Sequence, residues 1–182
     1  MTTKKKKKKK ITLVSWNVNG LRAVIKKDFS GSFRQLNADI VALQETKLQE
    51  SQLSDEMRYI DGYESFWSYA SVKKGYSGVG VYSRLKSKSV KYGIDEPKYD
   101  NEGRILELDL GDFIFFNIYF PNGQMSEERL QYKLDFYEAF FSYTNAYKKQ
   151  GRSLIITGDY NTAQNEIDLK NPKNNENTSG FL

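Results

Sequence analysis

The chain has 182 residues, of which 38% are hydrophobic and 14% aromatic, a composition typical of one packed globular domain rather than a disordered chain. The absence of cysteine excludes a disulfide framework and any thiolate metal site, and no apolar run reaches the roughly 18 residues of a membrane span. The net charge is +5, but Lys4–Lys10 contributes 7 positive charges, so the remaining residues carry −2 (5 − 7).

The lysine-rich N-terminus, residues 1–10, is predicted to be a disordered tail, because a block of like charges repels itself and stays solvated. The alternative interpretation is an electrostatic tether to nucleic acid or a nuclear-import-like patch. Residues 11–182 show no repeat period and no linker rich in proline or serine, so we expect them to form a single domain.

Short segments rich in β-branched and aromatic residues predict strands along the whole chain. In chain order they are Ile11–Trp16, Ile40–Leu43, Glu64–Ala70, Val79–Ser83, Arg104–Leu110, Phe113–Tyr119 and Ser153–Thr157. The pair Gly111-Asp112 between two apolar runs is typical of a hairpin, so at least one neighbouring pair of strands is expected to be antiparallel. The sequence therefore predicts an α/β protein with mixed sheets.

The clearest helix is predicted from Ser126 to Lys149. Ser126 is a suitable N-cap, acidic residues follow it, and Gly151 suits the exit of the chain from the helix. Shorter helices are predicted over Leu21–Leu36, with an interruption near Gly31, and over Gln49–Met57.

Several predicted strands stop abruptly at polar residues. Asn17 follows the first strand, Glu45 follows the second, and Gly158-Asp159-Tyr160-Asn161 follows the last. Because ligands of open α/β sheets bind at the carboxyl ends of strands, these endings are predicted to converge on one polar site.

The residue types at these endings suit a magnesium and phosphate site. Glu45 is a carboxylate where a buried strand reaches solvent, and Mg²⁺ takes such oxygen ligands while keeping several waters. Asp159 and Asn161 are one residue apart, so an extended chain would direct both side chains into one cleft. There the carboxylate would activate a water, and the amide would donate to a phosphoryl oxygen.

Further polar residues lie near these strand ends. Asn17 and Asn19 repeat the spacing of Asp159 and Asn161, while Tyr119 and Asn122 add a phenol and an amide. Each has a simpler interpretation, since Asn, Asp and Gly are ordinary turn residues. By the same reasoning, Gly75-Tyr76-Ser77-Gly78 would be only a loop, and Arg104 and Arg129 would be surface charges.

Six motifs, taken in their order along the chain, resemble the exonuclease III family, the class of apurinic/apyrimidinic endonucleases. They are Ser15-Trp16-Asn17-Val18-Asn19-Gly20-Leu21-Arg22-Ala23, Leu43-Gln44-Glu45-Thr46-Lys47, Gly75-Tyr76-Ser77-Gly78-Val79-Gly80, Glu102-Gly103-Arg104, Tyr119-Phe120-Pro121-Asn122 and Gly158-Asp159-Tyr160-Asn161. The segments Glu166–Lys173 and Ser179–Phe181 extend the resemblance, which covers nearly everything from Ile11 onward.

The resemblance implies a fold of two facing mixed sheets flanked by helices, the four-layer α/β sandwich of deoxyribonuclease-I-like phosphoesterases. It also implies the roles of the residues that match the motifs. Glu45 would be the metal carboxylate, Asp159 would position or activate the attacking water, and Asn161 would polarise the phosphate. All three are expected at the metal site.

Seven further residues acquire roles only through the resemblance. Asn17 would join the metal site, supported by Asn19, which replaces an Asp of some family members, and by Lys47. Tyr119 would be the active-site tyrosine beside the scissile phosphate. Three residues would touch the DNA backbone, namely Tyr76, Asn122 and Arg129.

The implied reaction is hydrolysis of a DNA phosphodiester on the 5′ side of an abasic site, with Mg²⁺, or Mn²⁺ in its place, as cofactor. Accompanying activities would be 3′-to-5′ exonuclease and 3′-phosphatase. The partner is double-stranded DNA with abasic sites, and we expect a monomer that works inside the cell, in the cytoplasm or the nucleus, without a membrane.

The sequence departs from the family at its C-terminal side, because family members continue into further strands and a terminal Asp-His pair, whereas this chain has no histidine. We therefore expect the sandwich to be C-terminally incomplete and residues 1–182 to be weakly active or inactive alone. The alternatives are a noncatalytic DNA-binding fragment or degenerate gene product and, within the superfamily, a phosphoesterase for inositol phosphates or a sphingomyelin-type lipid.

Overall fold

The structure is a computed structural model that describes residues 10–124, 126–169, 173 and 180. Nearly all of the predicted tail, and parts of Glu166–Lys173 and Ser179–Phe181, lie outside these residues. Eight strands form two sheets of four strands each. They are β1 (Leu13–Asn17), β2 (Ile40–Gln44), β3 (Glu64–Ser68), β4 (Val79–Ser83), β5 (Ser89–Tyr92), β6 (Ile105–Asp109), β7 (Ile114–Tyr119) and β8 (Leu154–Asp159).

Both sheets are mixed, as predicted. In the first sheet the strand order is β1-β2-β4-β3, with β1 parallel to β2 and the other pairs antiparallel. In the second sheet the order is β5-β6-β7-β8, with β7 parallel to β8 and the other pairs antiparallel. The predicted hairpin at Gly111-Asp112 joins β6 to β7, and Leu110 donates its backbone N–H to the carbonyl of Phe113 at 3.0 Å.

The helices lie on the outer faces of the two sheets. They are α1 (Leu21–Ile25), α2 (Phe29–Leu36), α3 (Asp55–Arg58), α4 (Pro97–Asp100) and α5 (Glu127–Lys149), with short 3-10 turns at Glu50–Gln52 and Glu166–Asp168. The long helix α5 begins as predicted, because the Ser126 hydroxyl accepts the backbone N–H of Arg129 at 3.2 Å. Within the described ranges, no helix is both long and apolar enough to cross a membrane.

Three apolar clusters define four layers. Alternate residues of β2 point to opposite faces: Val41 and Leu43 pack against α1 and α2, while Ile40 and Ala42 pack between the sheets. On the second sheet, Phe116 and its neighbours pack beneath α5. The layer order is therefore helices, first sheet, second sheet, helix, which confirms the predicted four-layer sandwich.

Several element boundaries differ from the predictions. The break within Leu21–Leu36 falls at Lys26–Asp28, because the Asp28 carboxylate accepts the N–H of Gly31 at 3.0 Å and caps α2. Gly31 therefore lies inside a helix. The predicted helix over Gln49–Met57 divides into a 3-10 turn and α3. Strand β5 and helix α4 have only 4 residues each and carry no periodic apolar signal.

Two buried amides join the sheets. Asn117 of β7 is fully buried, and its Nδ2 donates across the sandwich to the carbonyls of Leu43 at 3.0 Å and Gly80 at 2.8 Å. Its Oδ1 accepts the Gln44 side-chain amide at 2.7 Å. Leu43 and Gly80 are paired across β2 and β4, so one side chain of the second sheet is tied to two strands of the first.

We expect Asn117→Leu to lower the free energy of unfolding by about 3 kcal/mol, because it leaves two buried carbonyls and the Gln44 amide without their partner. Urea denaturation measures the change. The exposed Asn145→Leu in α5 is the matched control, with an expected change within about 0.5 kcal/mol. Equal stability of the two variants would contradict the role of Asn117.

Candidate active site

The ends of strands from both sheets meet at one edge of the sandwich. The Asn17 side-chain amide, at the end of β1, donates to Glu45 Oε1 at 3.1 Å and to Asp159 Oδ2 at 2.7 Å. Glu45 follows β2 of the first sheet, whereas Asp159 ends β8 of the second. One amide thus bridges two carboxylates that are far apart in sequence, and the predicted convergence is present.

Glu45 is held in its ionised form. Burial alone would raise the pKa of this carboxyl, but hydrogen bonds from Asn17, Lys47 and Tyr119 outweigh burial and lower the pKa below its usual value. Lys47 Nζ lies 3.0 Å from Glu45 Oε2. The backbone φ of Glu45 is 51°, in the left-handed region, which costs about 1–3 kcal/mol for such a residue.

Asn19 and Lys47 contact Asn17 and Glu45 through hydrogen bonds and an ion pair. The Lys47 ammonium donates to the Asn19 side-chain oxygen as well as to Glu45. The Asn19 backbone N–H donates to Asn17 Oδ1 at 2.9 Å, which leaves the Asn17 amide nitrogen directed at the two carboxylates. Asn19 and Lys47 thus both contact the residues predicted to hold the metal, and their supporting role stays a prediction.

Tyr119 reaches the same site from the second sheet. It is the last residue of β7 and pairs in register with Asp159. Burial, followed by its hydrogen bond to Glu45, raises the pKa of the phenol, while a hydrogen bond with Asn161 acts in the opposite direction. The phenol therefore keeps its proton at neutral pH and is a hydrogen-bond donor.

The chain from Asp159 to Asn161 turns, so the extended conformation on which the predicted shared cleft depended is absent, although both residues line the same cleft. Asn161 has a φ of 50°, and its N–H donates to Asp159 Oδ1 at 2.9 Å. Its side-chain amide donates to the carbonyl of Phe120 at 2.8 Å. The preceding Gly158 has no room for a side chain, because a Cβ there would lie 1.8 Å from the carbonyl oxygen of Ile118.

A buried lysine beneath this turn escaped the sequence analysis. Lys133 of α5 is 3% exposed, and its ammonium donates to the backbone carbonyl of Asn161 at 2.7 Å. Burial lowers the pKa of Lys133, and the negative charge of Asp159 opposes that shift. In the sequence the residue resembles any other surface lysine of an amphipathic helix, so no pattern signals it.

Two of the predicted DNA contacts are engaged with protein groups at the rim of the site. The Arg129 guanidinium donates to Glu102 Oε1 at 3.0 Å and to the Tyr76 hydroxyl at 3.2 Å. Both Tyr76 and Arg129 are half-buried. Arg104 is 2% exposed, so its interpretation as a surface charge is wrong.

Two clefts flank the bridged carboxylates. One, of about 550 Å³, is lined by Asn17, Asp159, Asn161 and the exposed Asn122. The other, of about 770 Å³, lies on the side of Lys47 and is rimmed by exposed cations that the sequence analysis did not single out, namely Arg22, Lys26 and Lys27. Asp159 thus lines a polar cleft, and Lys47, the ion-pair partner of Glu45, lines a basic one.

The donor set fits Mg²⁺. In the part of the chain that the structure describes, no group of three or more His, Cys, Asp or Glu side chains is arranged around one metal position. Two carboxylates and neighbouring amide oxygens are hard donors, and Mg²⁺ uses one or two carboxylates and retains several waters. Protein zinc sites are typically built on His or Cys ligands, and this sequence contains neither residue.

Comparisons with known proteins identify the family of this chain. The sequence profile of the endonuclease/exonuclease/phosphatase family matches residues 14–180. An exodeoxyribonuclease of Bacillus subtilis (strain 168) is 44% identical over 170 residues, which cover 93% of this chain and 66% of that protein. The DNA repair nuclease APEX1 of Danio rerio is 35% identical over 182 residues, which cover 100% of this chain and 58% of that protein.

The fold has a counterpart among solved structures. An AP endonuclease from Archaeoglobus fulgidus superposes with a TM-score of 0.80 at 27% identity, covering 95% of this chain and 66% of that one. The chain therefore spans about two thirds or less of the length of these relatives. The resemblance drawn from the motifs is confirmed, and so is the deoxyribonuclease-I-like fold.

Replacing Lys47 by Met should raise the pKa of Glu45, because the substitution removes an ion pair and a hydrogen bond to the carboxylate. Because folding lowers the pKa of Glu45, its ionised carboxylate stabilises the folded state at pH values above the ordinary pKa of a glutamate. This stabilisation is lost as the pH falls through the pKa that Glu45 has in the folded state. NMR titration of the Glu45 carboxyl carbon measures the shift. In the control Lys98→Met, which breaks the ion pair with Asp135, the titration should stay as in the parent; the same curve for Lys47→Met would refute the assignment.

Proposed function

The chain belongs to the endonuclease/exonuclease/phosphatase family, and on that premise we propose that it hydrolyses DNA phosphodiesters on the 5′ side of abasic sites, leaving a 3′-hydroxyl. Its further activities would be those of a 3′-to-5′ exonuclease and a 3′-phosphatase. The observation that carries the proposal is the Asn17 amide that bridges Glu45 and Asp159. It brings two carboxylates from separate sheets to one hydrolytic site.

The cofactor in this proposal is Mg²⁺, with Mn²⁺ as its substitute. Glu45 would hold the ion with support from Asn17, Asp159 and Asn161, and the lowered pKa of Glu45 keeps a negative ligand available at neutral pH. When bound, the ion supplies charge stabilisation at the phosphoryl oxygens.

The side chains supply the remaining chemistry. Asp159 is a carboxylate beside the cleft that can orient and deprotonate the attacking water. Tyr119 keeps its proton, so its phenol can donate to a phosphoryl oxygen as negative charge develops there. The side-chain amide of Asn161, which is hydrogen-bonded to the phenol, would polarise the phosphate beside it. Lys133 anchors the backbone of Asn161 and places a positive charge near Asp159.

The substrate in this proposal is double-stranded DNA that contains abasic sites. The basic cleft rimmed by Arg22, Lys26 and Lys27 suits phosphates, which fix the register of a duplex without reading its sequence. Tyr76, Asn122 and Arg129 would contact the backbone along the other rim. An abasic nucleotide has no base to unstack, so turning it out of the duplex costs less than for a normal nucleotide.

The proposal also includes the location and the oligomeric state of the protein. It would work inside the cell, in the cytoplasm or the nucleus, as a monomer. A noncatalytic DNA-binding role is the second candidate, because the basic cleft does not depend on the carboxylates. The names of the relatives favour nucleases over the inositol-phosphate or sphingomyelin-type phosphoesterases.

A single-turnover assay tests the proposal, with protein in excess over an abasic duplex and with Mg²⁺ present. Because residues 1–182 are expected to be only weakly active alone, we expect slow incision on the 5′ side of the lesion. This incision should stop on addition of a chelator and slow by a further factor of about 10²–10³ in Glu45→Gln and Asp159→Asn. Asp109→Asn is the matched control, since it neutralises a carboxylate paired with Arg152 and should leave the rate unchanged. Tight binding of the duplex without any metal-dependent incision would favour the noncatalytic role.

A further inference from the structure

The motif Glu102-Gly103-Arg104 has no part in the chemistry derived above, yet it builds a buried ion pair. Arg104 is 2% exposed and Glu102 is 9% exposed. Moving an ion pair out of water costs several kcal/mol per ion unless hydrogen bonds satisfy both groups. The stability of this buried pair therefore depends on its hydrogen-bond partners.

Every nitrogen of the Arg104 guanidinium has a partner. Nε donates to Glu102 Oε2 at 2.6 Å, one terminal nitrogen donates to the carbonyl of Tyr119 at 3.0 Å, and the other donates to the Tyr76 hydroxyl at 2.8 Å. Because the guanidinium is planar and its donors have fixed directions, these three bonds leave it a single orientation. A lysine could make only one of them well.

Arg104 makes three contacts with Tyr119, two hydrogen bonds and one cation–π contact. Its own carbonyl accepts the Tyr119 backbone N–H at 2.9 Å, its guanidinium donates to the Tyr119 carbonyl at 3.0 Å, and the same guanidinium lies 4.8 Å from the centre of the Tyr119 ring. A cation over an aromatic face is attracted by it. The ring is thus supported on one face while its hydroxyl reaches Glu45.

Glu102 fixes the arginine, and the backbone fixes Glu102. Its carboxylate receives Arg104 on one oxygen and Arg129 at 3.0 Å on the other. Gly103, with a φ of 62°, runs so close to the backbone of Tyr69 that a Cβ would lie 2.3 Å from its carbonyl carbon. This close packing fixes the backbone from which the Glu102 and Arg104 side chains extend.

We propose that Glu102 and Arg104 are positioning residues for Tyr119: the carboxylate aligns the guanidinium, and the guanidinium sets the phenol against Glu45. The same carboxylate also holds Arg129 and lies beside the Tyr76 hydroxyl, so the rim and the interior of the site share one anchor. The inference rests on the proposed function for its catalytic meaning, but the placement of Tyr119 is testable without DNA.

The test is a double-mutant cycle on Mn²⁺ affinity, measured by electron paramagnetic resonance. Glu102→Gln should weaken Mn²⁺ binding by about tenfold, a typical effect of removing a group that orients a ligand. In a Tyr119→Phe background the same substitution should change the Mn²⁺ affinity by less than about twofold, because the hydrogen bond between Tyr119 and Glu45 is then absent. Equal weakening in both backgrounds, or none in the parent, would overturn the proposal.

A second readout needs neither metal nor substrate. The protein is labelled with 3-fluorotyrosine, and the ¹⁹F signal of Tyr119 is assigned by its loss in Tyr119→Phe. In Glu102→Gln this signal should move or broaden, whereas in the control Asp109→Asn, which breaks an arginine pair at the other end of β6, it should not. An unmoved signal would overturn the positioning role.

The two readouts separate the possible failures. Absence of Mn²⁺ binding in the parent protein would contradict the proposed function, while the ¹⁹F signal would still decide the placement of Tyr119. If circular dichroism shows that Glu102→Gln does not fold, Glu102→Asp keeps the charge, shortens the side chain and carries the same cycle to the same two outcomes.

Discussion

The buried amide of Asn117 is the constraint on which the site depends. A sandwich held only by apolar side chains allows its two sheets to slide, because the hydrophobic effect has no direction. Asn117 removes that freedom by donating to two carbonyls of the opposite sheet and accepting from Gln44. Leu43 and Gln44 are the last two residues of β2, and Asn117 lies two residues before the end of β7. The strand ends that carry Glu45 and Tyr119 therefore keep their relative positions.

Local strain is concentrated where the two sheets meet. Among the described residues, eight other than glycine have positive φ, and five of these surround the carboxylates, namely Asn19, Glu45, Lys47, Ser77 and Asn161. Such conformations persist only where the surroundings fix them, and they collect at functional sites. The hydrogen bonds among Asn17, Asn19 and Lys47 provide that fixation on the first sheet. Lys133 provides it on the second.

Much of the fold was predictable because its signals are local. The apolar runs of β2 and β7 and the capping of α5 by Ser126 each depend on a few neighbouring residues. The position of the site was also predictable, since polar residues at strand ends are visible in the sequence. The short elements β5 and α4 were not predictable from the sequence, because β5 depends on pairing with β6 and α4 depends on packing against α5.

Three buried polar residues could not be predicted from the sequence, for a different reason. Asn117 interrupts an apolar strand, Lys133 lies on an amphipathic helix and Arg104 precedes a strand, and each is a polar type that normally faces water. Whether such a residue is buried depends on partners distant in sequence. Lys133 meets Asn161 across 28 positions, and Asn117 meets Leu43 across 74. No local pattern encodes these distances, so the structure was needed to find the groups that hold the site together.

In the proposed active site, side chains from both sheets would surround one divalent cation. This arrangement can be tested by titrating ¹⁵N-labelled protein with Mn²⁺, because the ion broadens the amide signals of nearby residues. We expect the signals of 17–20, 45–47 and 158–161 to broaden together at the same Mn²⁺ concentration, to recover on addition of Mg²⁺ and to stay sharp in Glu45→Ala. Broadening confined to one sheet, or spread over the exposed carboxylates of the surface, would rule out a shared cation site.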